Sequence, residues 1–107
     1  MQLIEILSRI RKGEYVYTLH ADIERKADGL TFHQVEVAML QGEILEEYPD
    51  EGRGESCLLL GFADNIPIHT VCGWHGDQIA IITVYVPKPP KFIDPWTRRK
   101  PNETEKM

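Results

Sequence analysis

The stretch Glu55-Ser-Cys-Leu-Leu-Leu-Gly-Phe-Ala-Asp-Asn-Ile-Pro-Ile-His-Thr-Val-Cys-Gly-Trp74 decides the fold. Two apolar, β-prone runs flank Asp64-Asn65, a dipeptide suited to a two-residue hairpin loop. With that loop, Cys57 lies opposite Cys72 and Leu60 opposite His69. A turn at His75 to Gln78 then leads to a further strand, Ile79 to Val86, and Pro87, Pro89 and Pro90 end it, because proline cannot donate to a ladder. In this register His69 is predicted to face Val84, Thr70 to face Thr83 and Ile68 to face Tyr85. One sheet face becomes Leu58, Leu60, Phe62, His69, Val71, Ile82 and Val84, with the helices expected on it. The other carries Cys57, Thr70, Cys72, Thr83 and Tyr85 and is more polar.

Upstream the periodicity changes. Leu3, Ile6, Leu7 and Ile10 share one face of a helix over residues 2–12, which Gly13 stops. Tyr15 to Leu19 is β-prone but short, Ala21 to Ala27 is helical in composition, and Asp28-Gly29 closes it. Thr31 is the predicted N-cap of a second long helix, which buries Phe32, Val35, Ala38 and Met39 and ends at Gly42. Glu43 to Tyr48 begins the β region. The predicted architecture is α+β, with N-terminal helices packed on one face of an antiparallel meander of about four strands.

A chain of 107 residues supports a single domain. Residues 1–100 are expected to form it, and the polar residues 101–107 to fray. No apolar run approaches a membrane span, and Glu5 interrupts the N-terminal apolar stretch, so the expected compartment is the cytoplasm and no membrane contact is expected. The net charge of -5 argues against a broad nucleic-acid-binding surface. It is unevenly spread: residues 41–87 hold Arg53 against eight acids, whereas Lys88, Lys91, Arg98, Arg99, Lys100 and Lys106 enrich the end of the chain. A local anion site is compatible with that split. Cys57 and Cys72 form no C-x-x-C pair, the histidines make no zinc pattern, and neither metal nor cofactor is expected. In a cytoplasmic chain the two cysteines are expected as reduced thiols.

His20 and Arg25 are the leading candidates for chemistry. Histidine titrates near neutrality and serves as acid or base; arginine offers phosphate a fork of donors. The bland alternative has His20 capping a short helix and Arg25 paired with Glu24 or Asp28. Thr83 and Tyr85 share a strand face and either line a groove or form its solvated half. Lys91-Phe-Ile-Asp-Pro-Trp-Thr-Arg-Arg-Lys100 interleaves aromatic and basic residues, as single-stranded nucleic-acid sites do. The bland alternative is a tail docked through Phe92 and Trp96, leaving its charges in water. His69, among apolar neighbours, is expected to be a core histidine bonded to a backbone carbonyl.

The ordered motifs His20-Ala21 with Glu24-Arg25, Leu30-Thr31, Gln41-Gly-Glu-Ile-Leu-Glu46, Tyr48-Pro-Asp50, Leu58-Leu-Leu-Gly61, Pro67-Ile-His-Thr-Val71, Ile82-Thr-Val-Tyr-Val-Pro87 and Trp96 with Arg98-Arg-Lys100 carry a resemblance. Over roughly residues 15 to 100 the chain resembles the bacterial domain-of-unknown-function family 4258. It departs at Lys26-Ala-Asp-Gly29, where many members carry a second arginine. The family's layout looks like the RelE-like ribonuclease toxins, whose genes often stand beside a small zinc-finger antitoxin. The resemblance implies a metal-independent endoribonuclease, with His20 as base or acid, Arg25 and Arg98 on phosphate, and Tyr85 as a second proton donor. Thr83, Lys91, Trp96 and Arg99 would complete RNA binding. The competing expectation is a non-catalytic interaction module that presents Glu46, Glu47, Asp50, Glu51 and Glu55 to a basic partner.

Overall fold

The computed structural model describes residues 1–100; the expected fraying of 101–107 lies outside the described residues. Three helices, α1 (Leu3–Arg11), α2 (Leu19–Ala27) and α3 (Phe32–Leu40), accompany β1 (Tyr15–Tyr17), β2 (Glu43–Tyr48), β3 (Ser56–Ala63), β4 (Ile66–His75) and β5 (Gln78–Tyr85). Two short strands, β6 (Phe92–Asp94) and β7 (Thr97–Arg98), follow. The main sheet has five strands in the order β1-β5-β4-β3-β2, one more than expected. The extra strand is the β-prone Tyr15–Tyr17, which pairs parallel to β5 while every other pairing is antiparallel. The α+β class stands.

Asp64 and Asn65 both adopt positive φ, 51° and 63°, and close the β3–β4 hairpin in the expected register, with Cys57 opposite Cys72 and Leu60 opposite His69. The β4–β5 register departs from expectation. It holds from His75↔Gln78 to Cys72↔Ile81, and then an irregularity at Val71/Cys72 shifts it by one residue. Beyond that bulge His69 faces Tyr85, Thr70 faces Val84 and Val71 faces Thr83. A bulge inserts one unpaired residue and moves every later side chain to a new cross-strand partner.

The helices also lie on the face opposite to the one expected. Their core joins Ile6, Ile10, Ala21, Val35, Ala38 and Met39 to Cys57, Leu59, Ile68, Cys72, Ile81 and Val84. The physical reason is Gly61, on the same side of β3 as Cys57 and Leu59. A Cβ added there would stand 1.7 Å from the Ala38 carbonyl oxygen, so α3 crosses where a side chain is missing. Leu58, Leu60 and His69 project the other way and are equally buried, and Phe92 of β6 packs on His69. Both faces of β3 are therefore sealed, and Cys57 to Gly61 form an unbroken buried run instead of alternating with solvent.

Among the described residues, no helix is long and apolar enough to cross a membrane.

Candidate functional site

Thr18, not His20, caps α2. Its Oγ1 accepts from the Ala21 amide at 3.1 Å, and its O–H donates to the Ile82 carbonyl at 3.0 Å. His20 therefore lies in the first turn of a helix, whose start includes Leu19 from the end of the β-prone run. Spaced four positions apart, His20, Glu24 and Asp28 stack along one side of α2 and its C-terminal cap. That side follows the edge of β5 beyond the end of β1. The Glu24 carboxylate accepts the Val84 amide at 3.1 Å, and the Asp28 carboxylate accepts the Val86 amide at 2.8 Å. Glu24 Oε1 also lies 3.2 Å from His20 Nε2. A carboxylate there favours the proton on Nε2 and leaves Nδ1 as the basic nitrogen. The ring itself is open to solvent, with 68 % of the side chain exposed.

His20 and Glu24 form one wall of a cleft of about 350 Å³. Thr83 and Tyr85 from β5 line it, as do Lys88 and Lys91 from the segment that follows, above Val86 and Phe92. The Lys91 ammonium is 5.8 Å from the centroid of the Tyr85 ring. The cleft thus combines an oriented histidine, two flexible cations and two hydroxyls.

Arg25 does not join this cleft. It is only 8 % exposed and turns to the other side of α2. Its Nη1 donates to the Leu30 carbonyl at 2.6 Å, and its Nε and Nη2 donate to Asp22 Oδ1 at 3.0 and 2.7 Å. The guanidinium stacks 3.8 Å above the Phe32 ring. Its hydrogen bond holds the Asp22 carboxyl below the ordinary carboxylate range. Arg25 fastens the corner between α2 and α3, and Asp22 is its partner in place of the expected Glu24 or Asp28.

The aromatic-basic segment is docked. Phe92 is buried edge-on against His69 at 4.5 Å, and Trp96 packs 5.7 Å from Phe62 and donates its indole N–H to Glu43 at 2.8 Å. Arg98 forks onto Glu46 at 2.9 and 3.1 Å and lies 4.7 Å from the Phe92 ring. This pairing holds the Glu46 carboxyl low. The Arg99 amide donates to the Lys91 carbonyl at 2.9 Å. Trp96, Arg98 and Arg99 thus build the covering hairpin, and of this segment Lys91 reaches the cleft together with Phe92.

His69 is fully buried and bonded to a backbone carbonyl, as expected: Nε2 is 2.6 Å from the Pro95 oxygen. Its Nδ1 is 3.2 Å from the Tyr85 hydroxyl. A carbonyl oxygen only accepts, so Nε2 carries the proton, and Nδ1 accepts a hydrogen bond from the Tyr85 hydroxyl. Burial lowers the His69 pKa below 6.5, which favours this neutral form.

Glu24 and Lys88 were not legible as site residues, although the four-residue spacing from His20 to Glu24 is a signal for the first. For Lys88 the signal is its place beside the prolines that end β5, where the chain must leave the sheet. The His69–Tyr85 contact was hidden by the bulge. Among the described residues, no three His, Cys, Asp or Glu side chains gather as metal ligands.

In comparisons with known proteins, neither a curated protein nor a solved structure matches. A family model does match, over residues 17–86, a span that runs from β1 through the cleft-lining end of β5, and by that match the chain belongs to the family Domain of unknown function (DUF4258).

Proposed function

We propose that the protein is a metal-independent endoribonuclease of the toxin type, acting through the cleft between α2 and β5. One observation carries this reading: the histidine of α2, oriented by Glu24, meets Lys88, Lys91, Thr83 and Tyr85 around a single concave surface. His20 Nδ1 takes the proton of a ribose 2′-hydroxyl, whose oxygen forms a bond to the adjacent phosphorus. The bond from phosphorus to the 5′-oxygen breaks, and that oxygen takes a proton from the Lys91 ammonium. A 2′,3′-cyclic phosphate and a 5′-hydroxyl result. Lys88 and Lys91 offset the charge that builds on phosphate, the role first given to Arg25 and Arg98. The Tyr85 proton is engaged by His69, so Lys91 replaces it as the donor.

The rival interaction reading has less support. Of its acidic residues, Glu46 is neutralised by Arg98, and Asp50 accepts the Gly52 and Gly54 amides of its own turn. The toxin reading also carries a RelE-like ancestry, a cytoplasmic location and a small zinc-finger antitoxin as partner, all resting on the family's resemblance to such toxins.

The test is incubation of purified protein with end-labelled single-stranded RNA, beside His20→Ala and a Lys88→Ala/Lys91→Ala double variant. Cyclic-phosphate ends with wild type, reduced about 100-fold or more in each variant at unchanged melting temperature, are expected. Intact RNA with folded wild type would remove the nuclease reading.

A further inference from the structure

The cleft has a hydrogen-bonding polarity that no residue shows alone. The Pro95 carbonyl fixes the proton of His69 on Nε2, and the Nδ1 so left accepts the hydrogen bond that the Tyr85 hydroxyl donates. With its proton so engaged, the hydroxyl of Tyr85, a residue that lines the cleft, has only lone pairs to offer a ligand. Its ring is held in place by T-shaped contact with His69 at 5.2 Å and by Phe92 at 6.2 Å, so the hydroxyl has a defined position. Across the cleft, the Glu24 carboxylate leaves His20 with a free Nδ1, a second acceptor. Lys88 and Lys91 are donors and cations only. Acceptors beside ammonium groups are complementary to hydroxyl groups beside an anion, the arrangement of a ribose with its phosphate.

We propose that Tyr85, oriented by His69, is the residue with which the cleft distinguishes RNA from DNA, by accepting a hydrogen bond from the 2′-hydroxyl of a nucleotide other than the one whose 2′-hydroxyl gives its proton to His20. This rests on the nuclease reading for the location of the site, but it assigns recognition and not chemistry. Tyr85 touches the ligand, and His69 is a positioning residue that acts through it. A deoxyribose would leave the Tyr85 acceptor unmatched in a half-buried position, which is the way polar sites reject analogues that lack a hydroxyl. The 2′-hydroxyl is also what separates the two nucleic acids at any single position.

The experiment measures binding of an oligoribonucleotide and of the deoxyuridine-containing oligodeoxyribonucleotide of the same sequence, at one salt concentration. Both are bound in a His20→Ala background, to stop turnover, with and without Tyr85→Phe. Ribose 5-phosphate and 2-deoxyribose 5-phosphate form a second pair of probes. Roughly tenfold preference for the RNA, reduced to near unity by Tyr85→Phe through weaker RNA binding alone, is expected. His69→Phe should reduce the same ratio while Tyr85 is retained, and nitrogen NMR of wild type should find the His69 proton on Nε2. Equal binding of both oligomers, or a Tyr85→Phe loss that is the same for both, overturns the assignment and leaves the cleavage test unaffected. Selectivity confined to the sugar phosphates also overturns it, in favour of a small ligand. RNA preference without cleavage by wild type upholds the recognition role and removes the nuclease. Binding of neither oligomer removes both.

Discussion

Arg25 shows how a functional-looking residue is absorbed by structure. Its guanidinium satisfies the Leu30 carbonyl and the Asp22 carboxylate in a place nearly closed to water. Arg25→Ala is expected to lower stability by about 2–3 kcal/mol, because a buried carbonyl and a carboxylate lose their donors. Arg25→Lys should recover little, since an ammonium cannot reproduce the fork over Phe32. Denaturant melts measure both, and RNA cleavage per folded molecule should be unchanged. His69 has a pH signature. Burial depresses its pKa in the fold, so the unfolded chain binds more protons between 6.5 and the folded value. Stability from this group is fully present above 6.5 and is lost as pH falls through the folded pKa. Asp22 and Glu46, also depressed, add losses of the same sign at lower pH. His69→Phe should therefore flatten the pH dependence of the melting temperature just below 6.5.

At the scale of elements, the edge of β5 is completed in two ways. β1 pairs with Ile79 to Ile81, and further along the carboxylates of α2 accept the Val84 and Val86 amides. Asp28→Ala should cost about 1–2 kcal/mol and speed hydrogen exchange at the Val86 amide first. A Gly61→Ala change is expected to cost about 3 kcal/mol, since the added methyl meets the α3 backbone and not a movable side chain. These elements also mark what could be read in advance. The β3–β4 register followed from Asp64-Asn65, because a two-residue loop leaves no freedom in pairing. The β4–β5 register did not, because nothing in Ile79 to Tyr85 announces an extra residue at the bulge. The helical face was misassigned because β3 is apolar on both sides, and the one asymmetric position was Gly61. In the site, His20, Thr83, Tyr85 and Lys91 were legible by residue type, whereas Glu24, Lys88 and the exclusion of Arg25 depended on how α2 lies against β5.

At the scale of the molecule the protein has three layers: helices, the main sheet, and the β6–β7 hairpin. The hairpin is held by apolar cover at Phe92, by the His69–Pro95 bond and by the Trp96–Glu43 and Arg98–Glu46 contacts. Phe92→Ala should lower stability by about 3–5 kcal/mol, the range for a deleted core aromatic, and should open the His69 and Tyr85 rings, on which Phe92 packs, to solvent. The paired Arg98 contributes much less, because the Glu46 contact is partly solvated.

The parallel seam between β1 and β5 finally sets an order of assembly. Thr18 and its partner Ile82 are 64 residues apart in the chain, whereas the β3–β4 hairpin closes on its nearest neighbours. Long closures cost more chain entropy before any contact rewards them. The hairpins should therefore form while β1 and α2 still wait for a strand made much later. Pulse-labelled exchange during refolding should protect the amides of Leu59 and Thr70 before those of Val84 and Val86. The cleft, whose two walls are α2 and the end of β5, is on that account among the last parts of the molecule to come into being.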